Sequence, residues 1–155
     1  MGKHVAEVSW ADDGGFASGC YSRAHEISFD GGAVVRGSSS PAVVPLYSDP
    51  AGVDPEELLV ASASACHMLW FLNLAQEAGL IVSRYRDQAE GSMSRVERGR
   101  IAITEIVLRP EIRFTGRQPD AAELDRLHHA AHDRCFIANS LKAGIRVEPA
   151  LADSG

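Results

Sequence analysis

Asp54-Pro55-Glu56-Glu57-Leu58-Leu59-Val60-Ala61-Ser62-Ala63-Ser64-Ala65-Cys66-His67 opens the longest apolar run of the chain, and its first four residues decide what the run becomes. Asp54 suits a helix N-cap, Pro55 the first helical position, and Glu57 completes a capping box three residues on. The pattern predicts a helix to Ala78, stopped at Gly79, a residue at ease in the left-handed conformation that ends helices. Apolar side chains lie almost all round it, through Leu58, Leu59, Ala61, Ala63, Leu69, Trp70, Phe71, Leu72 and Leu74. Such a helix belongs at the centre of a core or of a dimer. Ser62, Ser64, His67, Asn73, Gln76 and Glu77 interrupt the run, so it reads as a buried helix and not as a membrane span.

Outward from this helix, residues 1–53 are strand-rich. Val5, Val8 and Trp10 precede the turn cluster Asp12-Asp13-Gly14-Gly15. Cys20 to Phe29 reads as a strand, and Asp30-Gly31-Gly32 as a hairpin turn into Ala33-Val34-Val35. Gly37-Ser38-Ser39-Ser40-Pro41 and Ser48-Asp49-Pro50-Ala51-Gly52 read as loops. Beyond the helix, Ile81 to Gly91 forms one strand, and another starts at Gly99 and runs through Ile101, Ile103, Ile106, Leu108, Ile112 and Phe114. Its apolar positions switch from odd to even numbers between Ile103 and Ile106, which predicts a bulge near Thr104-Glu105. Pro110 places that part at a sheet edge. A second capped helix begins at Asp120, with Glu123 three residues later, and continues through Leu124, Leu127 and Ala131. A short helical turn holds Cys135 to Leu141, and Gly144 to Val147 is a last strand. Without βαβ alternation, the order predicts an α+β domain over residues 1–155: a β-rich part, a long buried helix, a second β-rich part, then a helix and a strand.

The composition is that of an ordinary globular domain, with 155 residues, 45% of them hydrophobic and 23% charged. A formal net charge of −6 gives no pull toward nucleic acid or anionic membranes, and neither is expected as a partner. Met1 to Trp10 carries Lys3, His4 and Glu7 and no apolar stretch of signal-peptide length. Three cysteines in such a chain point to a reducing compartment, and the expectation is a cytoplasmic protein.

Cys66 lies mid-way along the long helix. Taken alone it is a small buried hydrophobe. To act as a thiolate there, far from the helix N-terminus, it needs a cation from elsewhere in the chain. Cys135, at the end of the second helix, reads as the more accessible thiol, and such a pair can pass from sulfenic acid to disulfide. A core role for Cys135 fits the spacing equally well. Cys20 reads as structural, within a strand. Arg23 and His25 share one face of that strand, so Arg23 is either an exposed edge charge or the cation Cys66 needs, and Arg36 competes for that role. His128, His132 and Cys135 fall on one helix face and could ligate Zn²⁺, with His67 or Cys66 as a fourth ligand, although a chance cluster on a helix surface explains them too. Glu56 is by default a first-turn carboxylate that favours the helix dipole. It stands ten positions before Cys66, about 15 Å along a straight helix, so any joint role needs a bend or a second subunit.

Through these residues the chain resembles the OsmC-like family, which includes the organic hydroperoxide resistance proteins. Val53 to Cys66 is similar to the family's Asn/Asp-Pro-Glu-x-Leu segment leading into an Ala-rich helix with the first cysteine. Ala131-His132-Asp133-Arg134-Cys135-Phe136-Ile137-Ala138-Asn139-Ser140-Leu141-Lys142 resembles the second-cysteine segment. The resemblance implies an OsmC-like fold in an intertwined homodimer, with long helices packed at its centre and active sites at the subunit interface. It also implies a thiol peroxidase acting on organic hydroperoxides, in which Cys66 is the peroxidatic thiolate, Cys135 the resolving cysteine, Glu56 the acidic residue and Arg23 the cation. A dithiol reductant of lipoyl or thioredoxin type restores the thiols, and no metal, haem or flavin cofactor is implied. The chain departs from the better-known members at His67, where a Phe commonly follows the first cysteine, and at Phe136, where a Pro commonly follows the second. Two other readings stand beside this one: a metal-binding module built on His128, His132 and Cys135, and a non-catalytic protein that binds a small ligand.

Overall fold

The computed structural model describes residues 2–149. Their contacts gather into two compact units, one up to Leu58 and the other from Leu59 onward.

The first unit holds a three-stranded antiparallel sheet of β1 (Ala6–Ser9), β2 (His25–Phe29) and β3 (Val34–Gly37), in the order β1-β2-β3. The hairpin at Asp30-Gly31-Gly32 closes as its sequence demands, with Gly32 at φ 84° and its N–H donating to the Phe29 carbonyl. The strand predicted from Cys20 begins only at His25. Residues before it are held instead by an aromatic cluster of Trp10, Phe16 and Tyr21, with ring centroids 4.9–5.6 Å apart, and by the Trp10 indole N–H donating to the Ser22 carbonyl. Cys20 is therefore not a strand residue: it is exposed, and the Tyr47 hydroxyl, followed by Ser18, lowers its pKa.

The long helix α1 (Pro55–Glu77) starts with the expected capping box: the Glu57 N–H donates to Asp54 Oδ1 at 2.7 Å, and the Asp54 N–H donates to Glu57 Oε2 at 3.0 Å. It ends at Gly79, φ 72°, with the Leu80 N–H closing back on the Ala75 carbonyl. Its buried residues, Ala63, His67, Phe71, Leu74 and Ala75, follow helical spacing along one face. Leu69, on another face, is 63% exposed, so within one chain the helix is buried on one side only.

In the second unit, β4 (Ile81–Asp87) pairs with β7 (Pro110–Thr115), and β5 (Glu90–Glu97), β6 (Arg100–Leu108) and β8 (Gly144–Val147) form a sheet in the order β5-β6-β8. Each of the two long strands read from the sequence is thus two strands in different sheets. The break between β6 and β7 has a visible cause. The Arg109 N–H leaves the ladder for Asp87 Oδ1 at 2.6 Å, and Pro110 has no N–H to give. The bulge is where the parity switch put it: Ser92 faces Glu105 and Met93 faces Ile103, leaving Thr104 as the extra residue.

Helix α2 (Ala121–Arg134) is capped by Asp120 Oδ1, which accepts the Glu123 N–H at 2.7 Å. Its Leu127 and Ala131 pack with Phe71, Leu74, Ala75, Leu80 and Ile112 in the main core. Full burial of Phe71 alone is worth about 1.5–3 kcal/mol relative to exposure. A second cluster joins Ala63 to Ile106 and Leu108. The short turn Ala138–Ser140 and the final strand lie where the sequence placed them.

Candidate functional site

Cys66 and Cys135 meet. Cys66, partly buried on α1, lies beside Cys135 closely enough to raise the Cys135 pKa, and both are free thiols. The expectation of an accessible Cys135 is corrected here, for Cys135 is the more enclosed of the two at 1% exposed. The chain leaves α2 at Cys135 in extended geometry, and the following turn folds over the sulfur, so that Sγ accepts the Ala138 N–H at 3.4 Å. Burial pushes the Cys135 thiol up; the Ala138 N–H opposes this, and the contact with Cys66 adds to it. Beside the pair, Trp70 and Phe136 meet edge to face at 5.6 Å, with the Arg134 guanidinium 5.8 Å from the Trp70 ring. Phe136 remains 68% exposed.

His67 points away from Cys66, as neighbours on a helix do, and its Nε2 lies 3.1 Å from Nδ1 of His128. Burial lowers the pKa of both histidines to about 4, so they are neutral near pH 7. The sequence brings these two histidines, 61 residues apart, together only as possible metal ligands; their direct hydrogen bond carries no sequence signal. The His128, His132 and Cys135 face does not form a metal site: among the described residues, no three His, Cys, Asp or Glu side chains are grouped to hold an ion.

The pair has a measurable consequence. In the unfolded chain each histidine takes up a proton near pH 6.5, whereas in the fold it resists protonation until about pH 4. Between those values the unfolded state binds more protons, so stability is intact above pH 6.5 and falls as the pH drops. The slope reaches at most about 1.4 kcal/mol per pH unit for each histidine. Urea unfolding from pH 7 to 5 should therefore show a falling midpoint, flattened in a His67→Phe/His128→Phe double variant. Equal slopes in the two proteins would refute this origin.

In the first unit, Arg23, His25, Ser38, Ser39, Ser40, Val43, Pro55 and Glu56 line a cavity of about 260 Å³. Arg23 lies over the face of Tyr21, 4.1 Å from its centroid, and its backbone N–H donates to the Tyr47 carbonyl. Its buried Nε has no partner among the described residues. His25 Nδ1 is 3.0 Å from the Arg23 carbonyl, which can only accept, so that nitrogen carries the proton. A Cβ on Gly37 would stand 2.3 Å from His25 Nε2, which is why the ring fits there beside glycine. Arg36 is elsewhere: it pairs with Asp49 beside a different cavity, with Cys20 and Tyr47. Arg23, not Arg36, thus shares a cavity with Glu56. The Ser38-Ser39-Ser40 run, read only as a loop, also lines it; three hydroxyls in a row were the signal available.

Residues 48–150 match the family model described as OsmC-like protein. The peroxiredoxin OsmC of Escherichia coli (strain K12) is 32% identical over 97 residues, a span covering 63% of this chain and 66%, just under two thirds, of that relative. An OsmC-like protein of unknown function from Vibrio cholerae superposes with a TM-score of 0.93 at 42% identity, covering 97% of this chain and 100% of that one. An organic hydroperoxide resistance protein from Elizabethkingia anophelis, at 18% identity and a TM-score of 0.71 over 99% of this chain and 98% of that one, shares the fold. With the family match extending over most of its length, this chain belongs to the OsmC-like protein family.

Proposed function

We propose that this protein is a thiol peroxidase that reduces organic hydroperoxides to alcohols. The observation that carries the reading is the contact between Cys66 and Cys135, one from α1 and the other from the end of α2, in a member of this family. The Cys66 thiolate attacks the distal oxygen of the hydroperoxide; an S–O bond forms, the O–O bond breaks, and the alkoxide leaves as the alcohol once protonated. Cys135 then attacks the Cys66 sulfenic acid, the S–O bond breaks, water leaves, and the disulfide forms. A dithiol of lipoyl or thioredoxin type returns both sulfurs to thiols by exchange. Arg23 is the cation that favours the thiolate and the charge developing on the leaving oxygen, and Glu56 is the carboxylate that serves with it. This chemistry calls for no metal, haem or flavin.

The working form is a cytoplasmic homodimer. Support comes from the open side of α1, where Leu69 is exposed, and from Val5, Val8 and Val34, apolar side chains left exposed in the first unit. The exposed Phe136 and the Trp70 ring beside the thiols favour an apolar peroxide over hydrogen peroxide. Steady-state turnover with dithiothreitol as reductant tests this directly. Cumene hydroperoxide should show a kcat/KM at least about tenfold above that for hydrogen peroxide, a difference of about 1.4 kcal/mol. Equal or reversed preference would overturn the substrate class.

A further inference from the structure

His67 and His128 are buried titratable groups that the thiol chemistry leaves unused. They are 1% and 3% exposed, their rings are within 6° of parallel, and Phe71 stacks on His128 with centroids 4.5 Å apart. A single proton occupies the bond between them, so one imidazole donates and the other accepts. Their outer nitrogens, Nδ1 of His67 and Nε2 of His128, are buried and find no partner among the described residues. As a contribution to stability this is a poor arrangement, because two apolar rings of the same shape would leave no polar atom stranded.

Position along the chain supplies a use. His67 directly follows Cys66 on α1, and His128 lies two helical turns before Cys135 on α2. One imidazole link and one thiol link therefore join the same two segments. A disulfide requires Cβ atoms about 3.8 Å apart and a narrow range of dihedral angle, so it is sensitive to small slides of one helix along the other. Apolar packing tolerates such slides, whereas a directional hydrogen bond does not.

We propose that His67 and His128 are a positioning pair that fixes α1 against α2 in the register where Cys66 and Cys135 can join, and so sets the balance between dithiol and disulfide. The inference rests on the redox-pair reading above. Other polar groups around the pair are His132 of α2 and Asp87 at the end of β4, which accepts from Ser64 of α1 at 2.5 Å, while Tyr85 of β4 packs against Phe71. Asp87 is thus already engaged, and the imidazole pair is a polar link from α1 to α2 at this level.

The test is thiol–disulfide equilibrium with dithiothreitol. Its oxidised form takes two electrons and two protons as its own S–S bond opens and the Cys66–Cys135 bond closes. His67→Gln carries an amide to the position of Nε2 and keeps the bond to His128; His67→Asn is too short to reach it. Both are polar and neutral, so they differ in reach more than in burial cost. The equilibrium constant for disulfide formation should stay within about threefold of wild type in His67→Gln and fall at least about tenfold in His67→Asn and in His67→Phe. Thermal melting run alongside reports any loss of fold. In addition, oxidation should shift the imidazole ¹⁵N resonances of His67 and His128 in the wild type and leave them unmoved in Cys66→Ser. Equilibrium constants that ignore the length of the side chain at position 67, or a wild type that forms no disulfide, would overturn the proposal. A disulfide that depends on the pair but is not formed by peroxide would instead overturn the peroxidase reading alone.

Discussion

Replacing Cys66 by serine should abolish peroxide reduction, lowering turnover by about a thousandfold or more, the scale on which removal of a nucleophile acts. A hydroxyl at this position remains protonated at neutral pH and is a poor nucleophile toward a peroxide O–O bond. The volume change is small and Cys66 is only partly buried, so the melting temperature should hardly move. Cys135→Ser should behave differently. Its first turnover proceeds at the wild-type rate, because Cys66 still attacks, and the reaction then halts with Cys66 as sulfenic acid unless an outside thiol reaches it. Rapid-quench measurement of alcohol release distinguishes the two variants: no burst in Cys66→Ser, and one equivalent per subunit in Cys135→Ser. A burst in Cys66→Ser would transfer the nucleophile's role to another group.

Arg23→Met should lower kcat/KM for an organic hydroperoxide by about 10²–10³, the usual effect of removing one group that stabilises developing charge. Arg23 lines the cavity with Glu56 and keeps a buried N–H without a partner among the described residues, whereas Arg36 is engaged by Asp49. Arg36→Met should therefore leave kcat/KM within about threefold of wild type. Arg23→Lys should fall between these values, keeping the charge but losing the planar fork. The opposite ranking, with Arg36→Met the more damaging, would move the cation's role to Arg36.

Local chemistry was legible where the chain satisfies itself locally. The Asp54–Glu57 box, the Gly79 stop, the Asp120 cap and the bulge at Thr104 all follow from residues a few positions apart, and each stands in the fold as read. Strand breaks were harder. Ile101 to Phe114 keeps an alternating pattern through Arg109, and the break depends on Asp87, a carboxylate remote in sequence that captures the Arg109 N–H. Arg23 and His25 were named from their alternation, but their shared cavity with Glu56 and the serines of residues 38–40 arises from tertiary folding of the first unit. The enclosure of Cys135 likewise depends on the turn that follows it, which looks in sequence like any exposed helix end. The His67–His128 pair is the furthest from sequence, because a buried histidine is recognised only by what meets it.

The proposed redox pair of Cys66 and Cys135 closes to a disulfide when organic hydroperoxide is reduced. The most direct measurement is the intact mass of fully reduced protein, under non-reducing conditions, before and after one equivalent of cumene hydroperoxide. Rapid loss of two hydrogens per chain is expected, reversed by dithiothreitol and absent when either Cys66 or Cys135 is serine. An unchanged mass, with both thiols still open to alkylation, would contradict it and leave a member of the family that binds a small ligand without chemistry.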